Sequence, residues 1–320
     1  MHRRTGQRSF ADEVVADKGH TGKMDRIGEV IDWGALAKLI EPVYAATTGR
    51  PSYPPLVLVK ALLLAQWYNL SDPQLEEALG DRLSFRRFVG LSLDEPTPDH
   101  VTLWRFRQEL GRLGLDQALL MEINRQLQAR GLILKEGTLL DATLVKAQAA
   151  PPQTGAGGRM PKASVDRDAR WSKGRGGLHF GYKAHLSVDQ DSGLIRRAIL
   201  TASQVNESEV ADELICGDER AVYADKAYES KHRRRRLKSN GVKDRIMHRS
   251  HKNQDGLPHW QQQRNHLIAP IRRKVERVFG TLKRSYGYSR VRYYSLQSNA
   301  TQLMLMVAAL NLRRAVVLTS

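Results

Sequence analysis

The hydrophobic period changes at Gly131, and that change fixes most of what the chain can fold into. Between about Ile27 and Leu127 apolar residues recur at spacings of three and four, the pattern of amphipathic helices. WGALAKLIEPVYA reads as one helix, stopped by GRPSYPP with its three prolines, and PLVLVKALLLAQWYNL reads as a buried one. SDPQLEEALGD opens on Ser71, placed to cap, with Pro73 in the first turn. TPDHVTLWRFRQELGRL opens on a Thr-Pro pair. Beyond Gly131 the pattern alternates. GTLLDATLVKA (137–147) reads as a strand, and FGYKAHLSVD and LIRRAILTAS flank QDSG as a hairpin. NESEVADELI is a helix with Asn206 and Glu209 spaced as a capping box. AVYAD (221–225) is a short strand, YESKHRRRRLKSNG a helix ended by Gly241, VKDRIMH a strand and IRRKVERVFGTLKR a helix. The order β, β, β, α, β, α, β, α predicts an α+β protein: an all-α N-terminal domain, then a mixed sheet flanked by helices. The expected boundaries are a flexible tail at 1–25, a helical domain at 26–130 and a sheet domain at 131–316. Residues 148–178, rich in Gly, Pro and charge, are expected to be a mobile loop within it.

Charge then narrows the partners. The 320 residues carry a formal net charge of +17. A field of that sign attracts polyanions, with nucleic acid as the default. It is concentrated: between Lys226 and Arg284 stand 18 Lys or Arg against four acids, a local +14. That concentration, including the run KHRRRRLK, suggests a groove that tracks a phosphate backbone. The apolar stretches 56–67 and 303–310 are too short to span a bilayer, the start lacks a signal-peptide core, and one cysteine, Cys216, permits no internal disulfide. These features predict a cytoplasmic, nucleoid-associated protein that binds double-stranded DNA and no membrane.

Three acids stand against this background. Asp141 interrupts an apolar strand and Asp225 ends another, and a carboxylate there needs a cation, a donor or a metal. Glu276 sits alone among Arg272, Arg273, Lys274, Arg277, Lys283 and Arg284. On a helical wheel Ile271, Val275, Val278, Phe279 and Leu282 form one stripe, and Glu276 lies at its edge with Arg272 and Lys283 nearby. An isolated ion pair would not need so many cations.

These residues resemble the DDE transposases of bacterial insertion sequences, closest to the insertion-sequence-five family, over about residues 26–316. LLDATLVKA is similar to that family's first-Asp strand, and VYADKAYES to its second, with Asp-Lys-x-Tyr following the strand. The last helix matches the signature Tyr-x2-Arg-x3-Glu-x6-Lys at Arg272, Glu276 and Lys283, with Ala269 in place of the Tyr. The resemblance implies an RNase H-like catalytic domain and a triad of Asp141, Asp225 and Glu276 that is both catalytic and metal-ligating. It also implies two Mg²⁺ ions, replaceable by Mn²⁺, because hard cations take oxygen ligands. The expected activity is cleavage at terminal inverted repeats followed by transfer of the freed strand to target DNA. A homodimer or higher multimer would assemble on the ends. Arg272, Lys283, Arg273, Arg277 and Lys226 are candidate phosphate contacts, with Arg272 holding either backbone or Glu276.

Several residues keep two readings. VTLWRFRQEL, with Arg105 and Arg107, is either the groove-reading second helix of a helix-turn-helix or a packing helix. Trp171 either stacks on a base or anchors a loop, and His179 and His185 are more often structural than ligands. The rivals to a transposase are an RNase H-like nuclease or resolvase without strand transfer, and a transposase-derived DNA-binding regulator. A regulator would be expected to have lost an acid, and all three are present.

Overall fold

The computed structural model describes residues 23–44, 52–149, 166–174, 177–250 and 256–320. The expected tail at 1–25 lies almost wholly outside these. So does much of the expected loop at 148–178. The chain divides into two compact units, Met1–Arg130 with Met304–Ser320, and Gly131–Leu303.

The first unit is helical: α1 (Lys23–Val30), α2 (Trp33–Ile40), α3 (Pro55–Tyr68), α4 (Asp72–Asp81), α5 (Leu83–Val89), α6 (His100–Arg112) and α7 (Leu115–Ala129). The segment read as one helix after Trp33 is α2 followed by a 3-10 turn at Glu41–Tyr44. Apolar around its whole circumference, α3 can only be a core helix, and Leu58, Leu62 and Leu64 are fully buried. Ser71 caps α4 in a reciprocal pairing with Gln74. The cap of α6 is Asp99, which accepts from the Thr102 amide at 2.6 Å, and not the Thr-Pro pair before it. Between α5 and α6 the chain runs from Gly90 to Asp99, too long for the tight turn of a helix-turn-helix. Buried Arg86 fastens that connection by donating to the carbonyls of Ser92, Leu93 and Glu95. The last helix, α12 (Leu296–Thr319), supplies Met304 onward to this unit. There the Trp67 indole donates to Ala309 O at 2.7 Å, and Asn311 donates to Asn124 at 2.8 Å. This helix is long and apolar enough to cross a membrane, but 78% of its most apolar window is buried inside the protein, as in a core helix.

The second unit is built on a six-stranded sheet: β1 (Thr138–Lys146), β2 (Arg170–Gly174), β3 (Gly177–Asp189), β4 (Ile195–Ala202), β5 (Ala221–Ala224) and β6 (Lys243–Ile246). β1 is central. It pairs antiparallel with β3, which pairs antiparallel with β4, and on its other edge it pairs parallel with β5, followed by parallel β6. Three antiparallel strands followed by two parallel ones, with helices at the crossovers, is the RNase H-like arrangement. The strand β2 falls where a loop is expected. It pairs with the first residues of β3, placing Trp171 opposite Phe180.

Helix α8 (Glu207–Leu214) starts at the Asn206–Glu209 capping box, and α9 (Lys231–Ser239) starts at Ser230. Leu140, Ala211, Leu214, Val222, Ala224, Tyr228, Leu237 and Ile246 form the core between the sheet and these helices. The arginine run in α9 departs from the expected DNA groove. Arg233 is 2% exposed and bonds Asp212 at 2.8 Å, Arg236 bonds the same carboxylate at 2.6 Å, and Arg234 pairs with Glu229 and Asp244. Of the four arginines, only Arg235 is fully exposed. The final expected helix is two: α10 (His259–Arg272) and α11 (Val275–Ser285), interrupted at Arg273–Lys274.

Candidate active site

Strand register brings the first two acids together. Leu140 of β1 stands beside Ala224 of β5 in a parallel pair, so Asp141 and Asp225 are the next residues on adjacent strands. Neighbouring strands run about 4.8 Å apart, so the two carboxylates leave the sheet at one level. Leu140 and Ala224 are fully buried in the core, and Asp141 follows on the opposite face of the pleat. Past the end of β5, Asp225 accepts from the Lys226 amide at 2.6 Å and starts a 3-10 turn at Lys226–Tyr228.

Glu276 arrives from a helix. α11 packs against β1, burying Val275, Val278, Phe279 and Leu282, while Glu276 in its first turn is exposed beside that stripe. Asp141 responds to both other acids. Burial pushes its carboxyl up, Arg272 and the Ala142 amide oppose that, and Asp225 and Glu276 push it up again. The three acids therefore share one electrostatic environment, although their oxygens do not all lie within 4.8 Å of one another. Among the described residues, the group that meets that distance is Cys216, Asp218 and Glu219. There Arg196 bonds both carboxylates and Lys135 bonds Asp218 at 2.6 Å, so cations of the chain already satisfy the charge.

Arg272 lies elsewhere than expected. It donates to Asp141 Oδ2 at 2.9 Å, with both side chains 18% exposed, and it pairs with neither Glu276 nor open solvent. The helix break after it changes its phase relative to Glu276. Arg273, Arg277, Lys283 and Lys226 are exposed, and Trp171 is half-exposed with its ring 5.4 Å from that of Phe180. In the first unit Arg105 is exposed but Arg107 is not. Arg107 is 2% exposed and grips Asp72 with two bonds, at 2.9 and 2.6 Å, so its guanidinium cannot reach a base edge. His185 is fully buried and shares a 2.9 Å hydrogen bond with Thr201, a structural role.

Two further residues, which the sequence does not single out, stand near the acids. Glu207, first in α8, is pushed up by burial and by Asp141 and Asp225, while Lys183 and Arg272 pull it down. Tyr228 is fully buried, its hydroxyl has no hydrogen-bond partner among the described residues, and burial with Glu207, Asp141 and Asp225 raises it strongly. The only sequence signal for Glu207 is its place directly after the Asn206 cap.

The donor set suits a divalent cation. It is all carboxylate oxygen, burial and then its two acidic neighbours raise Asp141, and it lies beside a buried hydroxyl with no partner among the described residues. Residues 10–109 match a family described as a transposase domain of the DUF772 type, and residues 133–312 match the transposase DDE domain. Among solved structures, the chain is similar to the piggyBac transposase in a synaptic complex with hairpin DNA, at 10% identity and a TM-score of 0.47, covering 90% of this chain and 71% of that one. The DDE match spans more than half the chain and includes both strand-end aspartates and the helix bearing Glu276, so this chain belongs to the transposase DDE domain family and is a metal-dependent DDE transposase on an RNase H-like fold.

Proposed function

We propose that Asp141, Asp225 and Glu276 are the catalytic triad and hold two Mg²⁺ ions, with Mn²⁺ able to substitute. The observation that carries this is the β1–β5 register, with Leu140 beside Ala224, which sets the two aspartates side by side next to the helix that bears Glu276. Such ions would activate the attacking oxygen and stabilise the leaving 3′ oxygen at a scissile phosphate. The protein's share is positional. Asp141 and Asp225 are anchored by a strand and a strand end, so their carboxylates enter the site already oriented. Glu276 approaches from a separate helix and closes the third side. Arg272 balances the charge of Asp141, and exposed Arg273, Arg277, Lys283 and Lys226 hold DNA phosphates without reading sequence.

Residues 131–303 then form the catalytic domain, shorter than the expected 131–316 because Met304 onward belongs to the helical unit, and residues 26–130 bind the terminal inverted repeats. The solvent face of α6 supports the second assignment, with Val101, Trp104 and Arg105 exposed on it. A homodimer or larger multimer on paired ends would present both catalytic units to one target duplex, at the nucleoid.

The test is cleavage and joining of a DNA duplex carrying the element's own end, in Mg²⁺. Asp141→Asn, Asp225→Asn and Glu276→Gln each remove a ligand charge at nearly constant volume. Each is expected to abolish both steps while end binding persists. Near-normal cleavage by any one of them removes that residue from the triad. Cleavage without joining by the unaltered protein makes it a nuclease instead.

A further inference from the structure

Beyond the triad stands a fourth acid. Glu207 is the first residue of α8, and α8 packs on β1, β3, β4 and the 3-10 turn that follows Asp225. Its carboxylate keeps 27% exposure and lies 3.8 Å from Lys183 Nζ, which donates to the Val205 carbonyl at 2.8 Å. Asp141 and Asp225 both act on it electrostatically, as does Arg272. An acid at a helix start is ordinary, since the helix dipole favours it there. Tyr228 is what an ordinary helix-start acid does not explain. It is fully buried, its hydroxyl has no partner among the described residues, and the charged group acting on it most strongly is Glu207, followed by Asp141 and Asp225. Buried hydroxyls are almost always bonded, so one left open beside acids points to a ligand group that completes it.

We propose that Glu207 is a fourth carboxylate of the divalent-metal site, and that the Tyr228 hydroxyl orients that carboxylate once the ion is bound. The inference rests on the reading of Asp141 and Asp225 as metal ligands. Lys183 and Arg272 then have parallel tasks, each neutralising one acid, Glu207 and Asp141, in the protein without metal. Both would give way when the ions bind.

The experiment is Mn²⁺ binding to the full-length protein without DNA, followed by electron paramagnetic resonance of the free ion. Variants are Asp225→Asn as reference, Glu207→Gln, Glu207→Asp and Tyr228→Phe, each checked for its fold by circular dichroism. Glu207→Gln is expected to weaken Mn²⁺ binding by roughly tenfold or more, with partial recovery in Glu207→Asp, in the range seen when groups that orient metal ligands are lost. Tyr228→Phe is expected to weaken it several-fold while raising the melting temperature of the metal-free protein, because an unpartnered buried hydroxyl is removed. A purely structural tyrosine would not move the two readouts in opposite directions. If Asp225→Asn loses Mn²⁺ and Glu207→Gln binds it as the unaltered protein does, Glu207 is not a ligand and the proposal fails alone. If Asp225→Asn binds normally, the metal-site reading beneath it fails. Should Glu207→Gln not fold, unchanged affinity in both Glu207→Asp and Tyr228→Phe overturns the proposal.

Discussion

Arg107 separates two accounts of α6, one in which the helix reads DNA with both of its arginines and one in which Arg107 holds the helical unit together. The perturbation is Arg107→Ala. The guanidinium is 2% exposed and makes two bonds to Asp72, a residue in the first turn of α4 whose side chain is 17% exposed. Removing one partner of a buried pair costs about 3–5 kcal/mol, because the other charge is left uncompensated. Asp72 retains some solvent and the favourable dipole of a helix start, so the lower end applies. At about 2–4 °C per kcal/mol for a unit of this size, the melting temperature should fall by roughly 6–12 °C. The assay is thermal melting followed by far-ultraviolet circular dichroism, alongside Arg105→Ala, whose exposed side chain should shift the transition by no more than about 2 °C. The double variant Asp72→Ala/Arg107→Met should recover much of the loss, since both charges leave together. If Arg107→Ala melts like the unaltered protein while losing preference for the element's ends, the buried-pair argument is wrong and Arg107 reads DNA.

Two further outcomes follow from placement of charge. Replacing exposed Arg273, Arg277 and Arg284 together with Gln should flatten the dependence of log K on log salt by about 0.9 for each phosphate no longer neutralised. Replacing Arg233 or Arg236 should leave that slope alone and lower stability instead, because both are committed to Asp212; the reverse pattern would put α9 on the DNA. Burial lowers the His185 imidazole from 6.5 to about 4, so between those values the folded protein holds it neutral while the unfolded chain binds a proton. Its contribution is complete above pH 6.5 and is lost as pH falls towards about 4, up to roughly 3 kcal/mol, and His185→Gln should remove that part of the acid sensitivity. An unaltered pH profile in His185→Gln would assign the sensitivity to other groups.

What could be read from the sequence was whatever its own periodicity determines. Most strands of the sheet announce themselves because alternating apolar residues must face a core, and α3 because apolar residues continue around its circumference with only Lys60 and Gln66 strongly polar among them. The strand β2 could not be read: RWSKG has no pattern of its own and is a strand only because β3 offers it an edge. The break between α10 and α11 was hidden by an apolar stripe that continues across it from Ile271 to Leu282. Asp141 and Asp225 were visible as acids in the wrong company, but their adjacency depends on a parallel pairing across 84 positions, which no local pattern encodes. The α9 run was misread, and Arg107 kept two readings, because the partners Asp72 and Asp212 stand 35 and 21 positions away from Arg107 and Arg233.

That failure contains the rule that finds the site. A cation in this sequence means DNA only when no carboxylate is in reach, and a carboxylate means metal only when cations run short. In α9 three arginines meet Asp212, Glu229 and Asp244, and Arg264 joins them on Asp244, so each of these acids has its cation. Around Cys216 the same holds, with Arg196 and Lys135 facing Asp218 and Glu219. At Asp141 it does not: among the described residues the cation acting on it is Arg272, against Asp225 and Glu276, and Glu207 adds a further acid for which Lys183 is the added cation. A chain of net charge +17 has lysines and arginines to spare, and an excess of negative charge at one buried strand end is therefore not a shortage of supply. On the proposed reading the missing positive charge comes from outside the polypeptide, as a divalent ion whose ligands a nearby lysine or arginine would otherwise occupy.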